Sequence, residues 1–167
     1  MKIVKQLYTC FIFGEGRSDI KFVTRLIEHP KFGYHTKKWG FNYDNASGSS
    51  VQVIARQCHQ AILSRNYDLV LCILDVDQLK HLFGKKWEKE KLIIEKKYPG
   101  IKFIWQLDNL EDEIKKVLGD ISAGKHSLSR LAIQKINKFI NSDYWKQILS
   151  VIKQEESRLE KSNNKAH

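Results

Sequence analysis

Two apolar stretches that end in acidic residues determine the expected fold: Tyr8-Thr9-Cys10-Phe11-Ile12-Phe13-Gly14-Glu15-Gly16 and Asp68-Leu69-Val70-Leu71-Cys72-Ile73-Leu74-Asp75-Val76-Asp77. Both runs predict strands, and the second is too uniformly apolar to be half exposed, so we expect it at the centre of a sheet. On an extended backbone, Asp75 and Asp77 would project to the same side. Because ligands bind outside the carboxyl ends of parallel strands, these two residues and Glu15 indicate divalent cation or phosphate chemistry.

Strand and helix signals alternate outward from these two runs. This alternation predicts an α/β domain with a mostly parallel sheet of about four strands, flanked by helices. Ser18 is the expected cap of the first helix, which His29-Pro30 should end. The other predicted elements are a strand at residues 39 to 43, helices at 50 to 64 and 84 to 98, and a strand at 101 to 107.

The remaining residues contain helical patterns and no strand-like run. Helices are expected near residues 110 to 118, 128 to 140 and 144 to 159. We therefore predict an α/β domain over residues 1–107, a helical C-terminal extension packed on it over 108–161, and a disordered tail over 162–167.

The composition favours one core and a polyanionic partner. The chain has 167 residues, 42% of them hydrophobic, which is enough for one proper core. It carries 29 Lys and Arg against 19 Asp and Glu, a formal charge of +10, which favours DNA or RNA through phosphate contacts. A solvated lysine face is the alternative. The lysines expected to track a nucleic-acid backbone, near the aromatic residues Phe83 and Trp87, are Lys80, Lys85, Lys86 and Lys89.

The three cysteines indicate neither a disulfide framework nor a zinc knuckle, because their count is odd and their spacing is wide. We interpret them as buried thiols of a reducing compartment. The N-terminus lacks the apolar stretch of a signal peptide, and no segment is long enough to span a bilayer. The expectation is a soluble, cytoplasmic protein with no membrane partner and no small-molecule cofactor.

Two short motifs resemble those of Toprim domains. Phe13-Gly14-Glu15-Gly16-Arg17-Ser18-Asp19 is similar to the first Toprim motif, a strand that ends in Glu-Gly and enters a helix through a Ser-Asp pair. Leu74-Asp75-Val76-Asp77 is similar to the Asp-x-Asp motif, about sixty residues later. The resemblance covers roughly residues 8 to 107 and implies a Toprim-like, Rossmann-like fold. It also implies magnesium-dependent phosphodiester chemistry of the kind found in topoisomerases, primases, small ribonucleases and nucleases of the OLD type.

The resemblance implies a role for each of the three acids. Asp75 and Asp77 would hold Mg²⁺ or Mn²⁺, and Glu15 would be a further metal ligand or a general acid and base. The alternatives are a helix-entry acid at Glu15 and ordinary loop polarity at the two aspartates. Asp19 is left outside the catalytic set, because an acid in the first helical turn complements the helix N-terminus.

Two further residues are similar to positions of OLD-type nucleases. Those enzymes place additional acids after the sheet, which would suit a second metal, and Glu111 is the preferred match; a charged helical face is the alternative. Lys125, in Gly124-Lys125-His126, is similar to a lysine that neutralises charge on the scissile phosphate. A surface lysine at a helix start is equally compatible with the sequence.

The sequence thus predicts a metal-dependent nuclease acting on DNA or RNA, in phage defence, repair or RNA processing. Two alternatives remain open. One is a non-catalytic, Toprim-like nucleic-acid-binding module that uses no metal. The other is a subunit of a larger assembly, whose helical half docks an ATPase or another protein partner.

Overall fold

The structure, a computed structural model, describes residues 7–32, 37–106 and 109–166. Four strands form one parallel sheet in the order β2-β1-β3-β4. Every residue of β3 is buried, and β3 pairs with β1 on one side and β4 on the other, so the predicted central position is confirmed. The bounds are β1 at Tyr8–Gly14, β2 at Trp39–Asn45, β3 at Leu69–Asp75 and β4 at Lys102–Gln106.

Within the described residues, seven longer helices surround the sheet, joined in places by short 3₁₀ turns. Their bounds are α1 at Arg17–Ile27, α2 at Val51–Ile62, α3 at Val76–Phe83, α4 at Trp87–Lys97, α5 at Leu110–Leu118, α6 at Lys125–Gln134 and α7 at Asp143–Lys165.

The side chains of β1, β3 and β4 alternate between two hydrophobic clusters, as the pleat requires. In β3, Leu71 and Ile73 pack with α1, α5, α6 and α7, whereas Cys72 and Leu74 pack with α2, α3 and α4. The helices after β4 share the first cluster with α1, and Trp145 and Ile148 of α7 are fully buried there. The predicted α/β architecture, with a four-stranded parallel sheet and helices at the C-terminal end, is confirmed.

Three local expectations differ from the structure. Gly16, and not Ser18, precedes the first residue of α1, and Asp19 accepts a hydrogen bond from its N–H. An additional helix, α3, begins at Val76, directly after β3. Finally, α7 continues through Lys165, where a disordered tail was expected from residue 162. Extending an existing helix needs no new nucleus, so polar residues can prolong it.

All three cysteines are buried and none forms a disulfide. Across the described residues, no helix combines the length and the apolar character that a membrane crossing requires.

Candidate functional site

The strand order places the candidate site at the reversal point of the sheet. The chain passes from β1 to β2 on one side and then crosses to β3 on the other side of β1. Ligand sites of open α/β sheets lie outside the carboxyl ends of the strands at such a switch point. Gly14 at the end of β1 lies opposite Ile73, two residues before Asp75, and Asp75 lies opposite Gln106. Glu15 and Asp75 are therefore delivered to the same crevice.

Glu15 and Asp75 are in direct contact. Their carboxyl groups lie within reach of a hydrogen bond, an interaction that needs a proton on one of them and that raises the pKa of Asp75. Close approach of the chain is possible because Gly14 has no side chain: a Cβ there would lie 3.0 Å from Cδ1 of Ile20. Glu15 thus reaches the end of β3 from a tightly packed junction between β1 and α1.

Asp77 lies near Asp75, but on a helix and not on the extended backbone that the sequence predicted. The backbone does not remain extended after Asp75, because α3 begins at Val76 and Asp77 lies in its first turn. The two aspartates therefore do not alternate along a strand. Helical geometry nevertheless keeps the charge of Asp77 close enough to Asp75 to affect its ionisation.

Asp19 is a fourth member of the cluster. Its side chain is 1% exposed, and its negative charge acts on Asp75, while that of Glu15 acts on Asp19. Sequence reasoning assigned this residue to the helix N-terminus, and its bond from the Gly16 N–H fits that role. The burial and the contact with other acids could not be read from the first turn of α1 alone.

The environment holds Asp75 in its neutral form. Burial raises its pKa to about 10, helped by the hydrogen bond that protonated Asp75 can donate to Glu15 and by the charges of Glu15, Asp19 and Asp77. Burial likewise raises the pKa of Asp19, although Lys125 and the donors at Gln106 and Gly16 oppose the shift. Strongly perturbed carboxyl groups that share a crevice are a common feature of functional sites.

Two buried carboxylate oxygens in the cluster lack partners. Oδ1 of Asp75 and Oδ1 of Asp77 have no hydrogen-bond partner within the part of the chain that the structure describes. Buried acceptors are normally satisfied, so these two oxygens are available to a bound group or to water. As positioned, however, no set of three or more His, Cys, Asp or Glu side chains in residues 7–32, 37–106 and 109–166 is arranged to hold a metal ion.

Lys125 lies at the margin of the acidic cluster. It is the first residue of α6, and the charges of Asp19, Glu111, Glu15 and Asp75 raise the pKa of its ammonium group against the opposing effect of burial. The structure therefore brings Lys125 to the crevice. Glu111, in the first turn of α5, is half buried and close enough for its charge to act on Lys125.

Three amide side chains that the sequence analysis did not select hold the acids. Gln78 donates to Oε1 of Glu15 at 3.2 Å, and Asn109 donates to Oδ2 of Asp77 at 3.3 Å while capping α5. The third residue, Gln106, is 1% exposed at the end of β4. A polar residue at the end of an otherwise buried strand was the available signal for Gln106.

Gln106 connects the acidic cluster to α7. Its Nε2 lies 3.0 Å from the hydroxyl of Tyr144 and makes a long contact of 3.5 Å with Oδ1 of Asp19. Burial, together with the charge of Asp19, raises the pKa of Tyr144 well above its ordinary value. Glu113, the glutamate not preferred from the sequence, is buried near the same tyrosine.

The four selected lysines form an exterior surface on α3, α4 and the turn between them. Lys85 and Lys86 are exposed in that turn, and Lys89 is exposed on α4. The ammonium of Lys80, on α3, lies 5.3 Å from the centre of the Trp87 ring. Phe83 and Trp87 pack against the second cluster, so they are partly core residues and not open stacking platforms.

Comparisons of the chain with protein-family models, curated proteins and solved structures found no match.

Proposed function

We propose that this chain is a metal-dependent nuclease that uses Mg²⁺ or Mn²⁺ to hydrolyse phosphodiester bonds in DNA or RNA. The observation that carries the proposal is the convergence of Glu15, Asp19, Asp75 and Asp77 at the switch point of a parallel sheet. Mutual repulsion among buried acids opposes folding, so their arrangement is better explained by a ligand than by stability. The Toprim resemblance supports the same chemistry.

The side chains fit a hard cation in their donor chemistry. Mg²⁺ and Mn²⁺ prefer carboxylate oxygens, and Asp75 and Asp77 each offer a buried oxygen with no partner among the described residues. Glu15 would complete the set. Without a metal, the raised pKa of Asp75 favours its neutral form, so the cation would have to displace a proton from this carboxyl group. Metal binding at such a site releases protons and reorients the ligands.

When bound, the cation would polarise the phosphate and lower the pKa of the attacking water. The residues of the chain then supply orientation and proton transfer. Gln78 holds Oε1 of Glu15, which leaves the rest of that carboxylate to take a proton from water or return one to the leaving oxygen. Lys125, already close to the acids, would offset the negative charge that develops on the phosphate.

The charge of the chain supports a nucleic-acid substrate. With a formal charge of +10 and the exposed Lys85, Lys86 and Lys89 beyond the end of α3, phosphates beside the cleaved bond would meet cations. We place the activity in the cytoplasm, in phage defence, repair or RNA processing. An ATPase is the kind of protein partner that would restrain or direct it. Glu111 is assigned to a second cation, with Lys125 beside it.

The test is cleavage of labelled single-stranded and double-stranded DNA and RNA by purified protein in Mg²⁺, Mn²⁺ or EDTA. We expect cleavage with either cation and none in EDTA. Asp75→Ala should abolish it while leaving the circular dichroism spectrum and folding cooperativity unchanged. Asp68→Ala, at the other end of β3, is the matched control and should cleave normally. Equal activity in the wild type and Asp75→Ala would refute the proposal.

A second candidate is a binding module without catalysis. One observation favours it: the acids are not arranged as a ligand set, and Asp75 has a pKa of about 10. A neutral, proton-sharing cluster would repel a polyanion less than an ionised one. Tight, salt-dependent binding of nucleic acid that EDTA leaves unchanged, without cleavage in any cation, would select this alternative.

A further inference from the structure

A cavity of about 520 Å³ lies beside the acidic cluster, along one face of α3. Among the described residues it is lined by Asp77, Gln78, His81 and Leu82. Residues four positions apart are neighbours on a helix surface, so Asp77 lies above His81 and Gln78 above Leu82. The cavity therefore begins at the acids and continues along the helix away from them.

The two ends of the cavity differ in chemistry. At one end, Asp77 and Gln78 are tied to the cluster, since Gln78 donates to Glu15 and Asp77 accepts from Asn109. At the other end, Leu82 is 58% exposed and His81 is also exposed. An exposed leucine beside an imidazole offers a mostly apolar surface. The carbonyl oxygen of the Gln78 side chain remains able to accept a hydrogen bond.

We infer that this cavity binds an unpaired nucleobase, belonging to the nucleotide next to the phosphate held at the acidic cluster. The inference rests on the proposed function. The volume of the cavity is within the range of small-molecule sites. A base is the part of a nucleic acid that stacks on apolar and ring surfaces. The five-residue step from Asp77 to Leu82 spans about 7.5 Å of helix, comparable to the separation of a phosphate from the neighbouring base.

The surrounding charge fits the same occupant. Lys85 and Lys86 follow α3 immediately and are exposed, so the phosphate on the far side of the bound base would meet two cations. The base, between this phosphate and the one at the acidic cluster, would direct its exocyclic amino or ring N–H group toward the side-chain oxygen of Gln78. A base in a duplex already has its hydrogen-bonding edge engaged and both faces stacked. The substrate is therefore a single strand, or a duplex with an unpaired nucleotide at the cleavage point.

The experiment measures binding separately from cleavage. Asp75→Asn protein, which should not cleave, is titrated with labelled single-stranded DNA and RNA oligonucleotides carrying one abasic site at successive positions. We expect one position at which base removal weakens binding by about tenfold, consistent with the loss of one stacked base. A fully paired duplex should bind more weakly than the single strand.

The variant that tests the cavity is Leu82→Ala, made in the same background. It should weaken binding by several-fold and abolish the dependence on abasic position. The control is Leu63→Ala, which removes another exposed leucine, just after α2, and should retain both properties. Thermal melting of both variants checks folding. Affinity that is the same for every abasic position, equal behaviour of the two leucine variants, or absence of binding would each overturn the inference.

Cleavage by wild-type protein in Mg²⁺ distinguishes this inference from the function on which it rests. If the wild type cleaves, Asp75→Ala does not, and Leu82→Ala resembles Leu63→Ala, the nuclease proposal stands and only the base site is refuted. If the wild type cleaves nothing, the nuclease proposal fails whatever the binding data show.

Discussion

The two ends of β3 carry the same type of residue in opposite circumstances. Asp68, just before the strand, is exposed and accepts hydrogen bonds from the N–H of Thr9 at 2.7 Å and from its hydroxyl at 3.3 Å. Asp75, at the other end, is 7% exposed, has one oxygen with no partner among the described residues, and contacts another carboxyl group. The surroundings of Asp68 donate hydrogen bonds to its carboxylate, whereas burial and neighbouring acids oppose the ionised form of Asp75.

Other polar groups at the two ends of the sheet show the same contrast between matched and unmatched partners. Near the start of the sheet, Lys38 and the indole N–H of Trp39 both bond to Glu156 of α7, so charge and donor are matched. At the carboxyl end, four acids gather with Lys125 at their margin. Polar groups at the first end hold α7 against the sheet. The arrangement at the second end opposes folding, which supports the proposed site there.

The largest expected difference between the two ends is in activity. Glu15→Gln should reduce the cleavage rate by roughly 10²–10⁴-fold, because an amide cannot exchange a proton with water or the leaving oxygen. Asp68→Asn should change the rate by no more than about twofold, as a surface substitution does. Rates under single-turnover conditions measure both. A comparable loss in the two variants would remove the functional distinction between the ends.

The same comparison predicts stability effects of opposite sign. In EDTA at pH 8, Asp75→Asn should raise the free energy of unfolding by about 2–4 kcal/mol, because it replaces a buried acid that is costly to ionise or to protonate. Asp68→Asn should lower it by about 1 kcal/mol through weaker bonds to Thr9. Urea denaturation measures both. Adding Mg²⁺ should stabilise the wild type and not Asp75→Asn. Destabilisation by both substitutions would contradict the account of Asp75.

The pH dependence sharpens the contrast further. Folded Asp75 has a pKa of about 10 in the absence of metal, above the ~3.9 of an unfolded aspartate. Between these values the folded chain keeps a proton that the unfolded chain has lost. The free energy of unfolding should therefore fall as pH rises, by up to about 1.4 kcal/mol per pH unit.

Denaturation in EDTA at pH 5, 7 and 9 tests this slope, which is fully lost only above the folded pKa. Asp75→Asn should flatten the curve, whereas Asp68→Asn should leave it unchanged. A wild-type stability that rises over this interval would show that Asp75 is ionised in the folded protein.

The smallest expected effect concerns the link to α7. Gln106→Leu preserves volume but removes the donor to Asp19 and Tyr144, so Asp19, whose charge acts on the proposed ligand Asp75, loses its orientation. Affinity for Mn²⁺, measured by calorimetry, should fall about tenfold, as for other residues that act on a metal site from outside its ligand set. Gln60→Leu, on the exposed face of α2, is the control. Unchanged Mn²⁺ affinity in Gln106→Leu would separate α7 from the site.

Local pattern was sufficient for most of the sheet. The apolar runs of β1 and β3 and the Pro99-Gly100 stop before β4 each lie within a few neighbouring residues, so they could be predicted. The start of α3 was missed because Asp75-Val76-Asp77 has the alternation of a strand. Its helical signal, Val76 and Leu79 on one face, depends on knowing where β3 ends.

Some residues of the candidate site could be recognised from the local sequence, and others could not. Glu15, Asp75 and Asp77 follow recognisable runs, whereas Asp19 depends on a contact with Gln106 across 87 residues. No window of sequence contains both partners of that contact. Gln78 and Asn109 resemble ordinary helix residues until their bonds to Glu15 and Asp77 are seen.

By itself, the sequence determined the parallel α/β architecture, the positive charge, and which acids follow the first and third strands, because periodicity and strand-end chemistry are local properties. The tertiary structure alone decided that α3 turns Asp77 toward the cluster, that Asp19 belongs to it, and that burial raises the pKa of Asp75. Those outcomes depend on burial and on distances between residues far apart in the chain. Both quantities are set by how the helices pack around the sheet.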